Sequence, residues 1–304
     1  MSIVAGDLAI LFGGHEQIYS TTLEKGGVLC CHYGNFKHDD MIGHPWGSKV
    51  LDHKKKKWFA VLRPTPELIT LSLKHRTQIL YLADISVVTM FLDAKPGAKI
   101  VESGTGSGSM TVSLARAVGA TGKVFTFEFH AGRYHECTEE FKLYGLEETI
   151  QTNNRDVCLD GFLVDGLGSG TADGVFLDLP QPWLALPHAD EVLSVGGRLV
   201  NFSPCIEQVS RVCQWLGSHD YSDVTTVECL IKGWNGWIHS GDSNQRGPKE
   251  VTVPPKVDID VPHCATVNVP RLDRVPLENF FQHQLPMKTH TGYLTLAVKP
   301  SNDP

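Results

Sequence analysis

Between residues 96 and 232 the hydrophobic pattern switches repeatedly between two periods. Apolar runs of strand length are followed by stretches whose apolar residues recur at helical spacing. Lys99-Ile100-Val101 predicts a first strand. A glycine turn, Gly104-x-Gly106-x-Gly108, follows it, and then a helix from near Ser107 through Val112, Leu114, Ala115 and Val118. Strands are likewise predicted over 122–128, 149–152, 174–180, 196–202 and 224–231, with helices over 133–144, 184–193 and 206–216. Strands alternating with helices predict an α/β fold built on a mainly parallel sheet of seven strands. The seventh, 292–298, is predicted to return antiparallel beside the sixth.

The flanking regions follow other patterns. Residues 1–62 carry short apolar runs broken by glycine pairs, which predicts a small N-terminal β-domain, barrel-like or a sandwich. Arg63-Pro64-Thr65-Pro66-Glu67 reads as a linker, because each proline excludes helix at the residue before it. A helix over 84–92 follows within the second domain, 63–304. Residues 233–286 hold seven prolines and little periodicity, and read as a long, mobile surface insertion.

Composition excludes several classes. Hydrophobic content of 41% and charged content of 20% are those of a globular protein. No run reaches the roughly 18 apolar residues of a membrane span, and no membrane association is expected. The eight cysteines include no Cys-x-x-Cys pair, which favours reduced core thiols; no metal is expected. A net charge of −7 argues against unaided nucleic-acid binding, since phosphate binding needs clustered cations.

Candidate chemistry lies at the strand ends. Glu102, Glu128, Asp156 and Asp178 fall at or just after successive strands, where open parallel sheets bind their ligands. The glycine turn would let a ligand approach the backbone and the free N–H groups of the helix start. Glu128, about twenty residues beyond the turn, suits the hydroxyls of a ribose. Glu102 separates the possible cofactors: it would attract a cationic ammonium or sulfonium and repel a dinucleotide pyrophosphate. Asp156-Val157 offers an acceptor and an apolar wall to an adenine ring. Asp178 ends an apolar strand, where an unpartnered carboxylate is costly. The stiff loop Pro180-Gln181-Pro182 follows it. Four carboxylates around one glycine turn therefore point to S-adenosylmethionine. A dinucleotide oxidoreductase and a methyltransferase acting on a protein or another RNA stand as alternatives.

Several segments together resemble the catalytic subunit of tRNA (adenine-58-N1)-methyltransferase. They are 102–109, 75–81 (His-Arg-Thr-Gln-Ile-Leu-Tyr), Leu177-Asp178-Leu179-Pro180 with Trp183, 203–208 (Ser-Pro-Cys-Ile-Glu-Gln) and 290–295. Residues 43–50 match that family's N-terminal β-domain. The resemblance implies a Rossmann-like class I methyltransferase that moves a methyl group from S-adenosylmethionine to N1 of adenosine 58 in the tRNA T-loop. It also implies a non-catalytic, tRNA-binding partner subunit in a heterotetramer, located in the nucleus or in nucleus and cytoplasm. A non-catalytic member of the family is disfavoured, because Asp178 and the glycine turn are intact. Carried over by position, Leu80, Gly104, Gly106, Ser107, Gly108, Ser109, Glu128, Arg133, Asp156 and Val157 would hold the cofactor together with Glu102 and Asp178. Asp178 would sit between cofactor and base as the catalytic residue. Gln78, Ser203, Pro204 and Thr291 would line the substrate side. The 233–286 stretch matches none of these motifs.

Overall fold

The strand–helix alternation folds into a single twisted sheet in a computed structural model. The structure describes residues 2–14, 17–73, 76–230, 234–237, 280–283 and 292–300. In chain order the N-terminal strands are β1 (Leu8–Phe12), β2 (Ile18–Thr22), β3 (Val28–Cys31), β4 (Gly34–Lys37), β5 (Lys49–Leu51) and β6 (Trp58–Leu62). Two helices follow, α1 (Pro66–Ser72) and α2 (Leu82–Phe91). The alternating part then runs β7 (Lys99–Ser103), α3 (Ser109–Val118), β8 (Lys123–Glu128), α4 (Ala131–Leu143), β9 (Ile150–Asn154) and α5 (Val157–Asp160). It continues through β10 (Ala172–Leu177), α6 (Pro182–Val192), β11 (Leu193–Ser203), α7 (Ile206–Gly217) and β12 (Ser222–Glu228). Strands β13 (Trp234–Trp237) and β14 (Phe280–His283) pair with each other, and β15 (Tyr293–Val298) closes the series.

The large sheet has the order β12-β15-β11-β10-β7-β8-β9. Strands β7 to β11 are parallel, and β15 inserts antiparallel between β11 and β12. The chain leaves β7 towards β8 and β9, then crosses back to β10 and continues the other way. The order thus reverses between β7 and β10, where an open α/β sheet presents a crevice. Both faces are covered, as the continuous apolar runs require. Ile100, Phe176 and Val200 pack under α2, α3 and α4, while Val101, Val175, Leu177 and Leu199 pack under α6 and α7.

The expected N-terminal β-domain is present, and the segment that follows it departs from expectation. The N-terminal strands form a four-stranded antiparallel sheet, β2-β1-β6-β5, and a separate β3-β4 hairpin. Phe36, Phe59, Leu11 and Val61 lie in their common core. Among the described residues no ladder joins the two sheets. The segment read as a linker runs into the start of α1, whose first two residues are Pro66 and Glu67. Thr65 caps it, its Oγ1 accepting from the Leu68 N–H at 3.4 Å, and Pro66 is its first residue. Proline there lacks only an N–H that would have no helical partner, and its fixed φ suits the helix. Helix α1 packs on β1, β2 and α3 and joins the N-terminal sheet to the glycine-turn helix.

Residues 2–229 with 292–300 belong to one compact unit and 230–290 to another. Within the second, the structure describes β13 and β14; the remainder of the expected insertion lies outside the described residues. No helix among the described residues is long and apolar enough to cross a membrane.

Candidate active site

At the switch point the backbones of β7 and β10 meet. The Asp178 N–H donates to the Ser103 carbonyl at 2.9 Å, which fixes the carboxylate just beyond the end of β10. Gly104 follows Ser103 with φ +93°, and a Cβ there would lie 2.2 Å from the Asp178 carbonyl oxygen. Only glycine allows both this backbone conformation and this approach.

A cleft of about 710 Å³ opens above the turn. It is lined by Leu80, Glu102, Gly104, Gly106, Ser107, Ser109, Glu128, Arg133, Asp156, Val157 and Asp178, together with Gln78 and Pro204. Two of the expected residues lie outside that lining. Gly108 is a packing glycine: with φ +82°, its missing Cβ makes room for the Phe141 ring of α4. Ser203 is fully buried at the end of β11, accepting from Asn201 Nδ2 at 2.7 Å. Its strand neighbour Phe202 reaches the cleft instead. Thr291 lies outside the described residues.

The carboxylates have distinct environments. Glu128 Oε1 accepts from the His130 N–H at 2.8 Å and Arg133 Nη2 at 2.6 Å, and Oε2 accepts from the Gly106 N–H at 3.0 Å. Each oxygen takes two good hydrogen bonds, so Oε2 keeps one acceptor position for a ligand hydroxyl. Asp156 caps α5 through Oδ1, which accepts from the Cys158 N–H at 3.0 Å. Glu102 is buried and accepts from Thr111 Oγ1 at 2.6 Å. Burial pushes its carboxyl up to about 7, opposed by hydrogen bonds from Thr111 and Thr126. Burial likewise pushes Asp178 up to about 7. No hydrogen bond to the Asp178 side chain occurs among the described residues.

These two shifts fix a pH dependence. Between about pH 4 and 7 the folded state keeps protons that the unfolded chain releases. The raised pKa values therefore favour folding at low pH, and that contribution is lost as pH rises through about 7. A cationic ligand reverses the preference, since it favours the ionised carboxylates. Its affinity is expected to rise from pH 6 to 8, with protons released on binding. Calorimetry in two buffers of different ionisation enthalpy measures that release; binding with no proton exchange would contradict it.

The cleft wall formed by 76–80 is tied down by contacts distant in sequence. Ser107 Oγ accepts from the Arg76 N–H at 3.1 Å, and Ser109 Oγ donates to the Leu80 carbonyl at 3.2 Å. The largely buried Arg76 side chain meets Glu136 at 2.8 Å, Cys137 Sγ at 3.1 Å and Glu140, all on α4. Cys137 in turn donates to the Gly106 carbonyl at 3.2 Å. Burial pushes its thiol up to about 11, so it acts as a packed donor and not as a nucleophile. Arg76 thus joins the 76–80 wall, α4 and the glycine turn, a role that no local pattern announces. Arg76→Met is expected to lower stability by about 2–3 kcal/mol, as for lost charged hydrogen bonds. It should also weaken ligand binding in the cleft roughly tenfold, and thermal melts with calorimetry read both. A melting temperature equal to wild type would contradict the role.

The described residues contain no group of three or more His, Cys, Asp or Glu side chains placed to hold a metal ion. The donor set fits a cationic, adenosine-bearing ligand: four carboxylates against two arginines, an apolar wall at Val157 and Leu80, and a glycine floor.

Comparison with known proteins gives a consistent picture. Residues 57–299 match the family model of the tRNA methyltransferase complex GCD14 subunit, and residues 2–50 match the TrmI-like N-terminal model. A tRNA (adenine(58)-N(1))-methyltransferase catalytic subunit TRM61 from Cryptococcus neoformans is 46% identical over 76% of this chain. The match spans 53% of that relative, so the chain covers about half its length. The Candida albicans protein of the same name is 38% identical over 98% of this chain and 96% of its own length. Among solved structures, a SAM-dependent O-methyltransferase from Thermotoga maritima superposes with a TM-score of 0.75 at 26% identity, covering 100% of this chain and 96% of its own. The tRNA (m1A58) methyltransferase TrmI from Aquifex aeolicus shares the fold, with a TM-score of 0.70 at 22% identity, covering 99% of this chain and 100% of its own.

Proposed function

Because the chain belongs to the family of the tRNA methyltransferase complex GCD14 subunit, we propose that it transfers a methyl group from S-adenosylmethionine to N1 of adenosine 58 in tRNA. The observation that carries this reading is Asp178: a carboxylate held at the switch point by backbone contacts, with its side chain left for a ligand.

When bound, S-adenosylmethionine supplies an electrophilic methyl group on a sulfonium centre. Glu102 and Asp178 give the cleft the negative charge that suits such a cation, and Glu128 Oε2 offers an acceptor to its ribose. Asp156 and Val157 provide the adenine end. On the substrate side, Asp178 accepts a hydrogen bond from the N6 amine of the target base, which directs the N1 lone pair towards the cleft. Its negative charge also stabilises the positive charge that methylation leaves on the ring. Methyl transfer needs no proton removed first, so Asp178 acts by orientation and electrostatics. Gln78 and Pro204 flank the cleft where the base would enter. A base stacked within folded tRNA has to be extruded to reach Asp178.

The acidic cleft and the net charge of −7 leave this chain short of cations for a polyanion. A tRNA-binding partner subunit of the same family, assembled into a heterotetramer, would supply them. The purified chain alone is accordingly expected to methylate tRNA weakly or undetectably, and the co-expressed complex to do so robustly. The reading is tested with labelled S-adenosylmethionine and two tRNA transcripts, one with adenosine 58 replaced by guanosine. Incorporation confined to the adenosine transcript is expected. Equal incorporation into both would overturn it.

A further inference from the structure

Four consecutive lysines, Lys54 to Lys57, form the tip of the β5–β6 hairpin, and the tip is tied by more hydrogen bonds than a solvated turn requires. The buried Asp52 carboxylate accepts from the backbone N–H of Lys56 at 2.6 Å, Lys57 at 2.7 Å and Lys54 at 3.2 Å. The Lys55 N–H donates to the Asp52 carbonyl at 2.8 Å, with Lys55 at φ +54°. The His53 N–H donates to the Asn35 carbonyl at 3.0 Å, tying the tip to the neighbouring hairpin. A two-residue turn would join the strands with less chain. Here a longer loop is held in one conformation that leaves all four lysine side chains exposed. The only acid from Lys49 to Arg63 is Asp52, and its oxygens are engaged by backbone donors, while six lysines and arginines occupy the same span.

Aromatic rings are interleaved with these cations. Lys49 Nζ lies 4.2 Å from the centroid of Trp58, whose residue is 42% exposed. Lys57 Nζ lies 4.6 Å from the Tyr33 centroid, and the Arg63 guanidinium 5.7 Å from that of Trp46. Such pairing positions cations while leaving part of a flat ring open. Clustered cations with an exposed indole are what an RNA strand engages, through its phosphates and through stacking of an unpaired base.

We propose that the β5–β6 hairpin is an RNA-docking surface, with Lys54 to Lys57 against phosphates and Trp58 against an unstacked base. The proposal rests on the tRNA reading of the cleft and adds a second contact to it. The lysine tip lies at the end of β6 away from Leu62, from which the chain passes to α1. Five strand residues, about 17 Å, separate those ends, so the hairpin would hold RNA away from the reacting base.

The test reads RNA binding apart from turnover, so a failure of the methyltransferase reading stays distinguishable. The Lys54→Glu/Lys56→Glu double variant and, separately, Trp58→Ala are made in the protein with its co-purifying subunit. They are titrated with a full-length unmodified tRNA transcript between about 0.05 and 0.2 M salt. The double variant is expected to bind at least tenfold more weakly at 0.15 M. Its log K against log salt should be shallower by about 2, near 0.9 per lost phosphate contact. Trp58→Ala should lose affinity roughly fivefold with an unchanged salt slope. S-adenosylmethionine affinity and melting temperature should stay at wild-type values for both. Wild-type tRNA affinity and slope in the double variant would overturn the proposal. So would unchanged tRNA binding alongside lost binding to phosphatidylserine vesicles, which would make the hairpin a membrane contact.

Discussion

Asp178→Ala is expected to lower methyl transfer to tRNA at least about a thousandfold, the size of effect found when a preorganised electrostatic contact to a developing charge is removed. S-adenosylmethionine should still bind within tenfold of its wild-type affinity, because Glu102, Glu128, Asp156 and the glycine turn remain in place. Asp178→Asn separates the two functions assigned to the carboxylate. Asparagine keeps a carbonyl acceptor for the N6 amine and loses the charge, so it should retain some orientation and fall roughly a hundredfold. The wild-type rate should also rise with pH through about 7 as Asp178 ionises. That contribution should be missing from the asparagine variant, leaving only what Glu102 adds through cofactor binding. Turnover near wild type in Asp178→Ala would remove the central residue of the mechanism.

Gly104→Ala comes next in expected effect and acts on the same residue through the backbone. Its Cβ would lie 2.2 Å from the Asp178 carbonyl oxygen, at a φ of +93° that alanine adopts only under strain. The neighbour is main chain held by Ser103, so relief requires β7 and β10 to part at their tips. A destabilisation of about 1–3 kcal/mol is expected from the strained backbone. Loss of S-adenosylmethionine binding and of activity should exceed what that change in stability accounts for. Thermal melts and calorimetry on the same preparation separate the two effects. A variant that binds the cofactor normally would show that the turn tolerates a side chain and that Asp178 is not fixed through it.

Much of this arrangement was legible in the chain, for a physical reason. The glycine turn, the parallel strands and the acids at their ends are local patterns, and the position of β15 beside β12 followed from one antiparallel return. Features closed by distant contacts were not legible. Arg76 finds Cys137 across 61 residues and belongs to no periodic pattern. Gly108 and Ser203 sit inside motifs, yet their side-chain positions face Phe141 and Asn201, which spacing alone does not reveal. The 63–67 segment reads as a linker, yet Pro66 begins α1, because the same ring that excludes helix before it favours helix after it. Strands β13 and β14 are four residues each and lie far apart in sequence, so neither carries enough alternation to be recognised.

The central claim is that Asp178 directs N1, and not N6, of one adenosine towards the methyl donor. Chromatographic nucleoside mass spectrometry, combined with mass mapping of nuclease fragments, of tRNA methylated by the purified complex tests it most directly. The expected product is 1-methyladenosine at position 58, lost in Asp178→Ala. N6-methyladenosine, or 1-methyladenosine at another position, would contradict it.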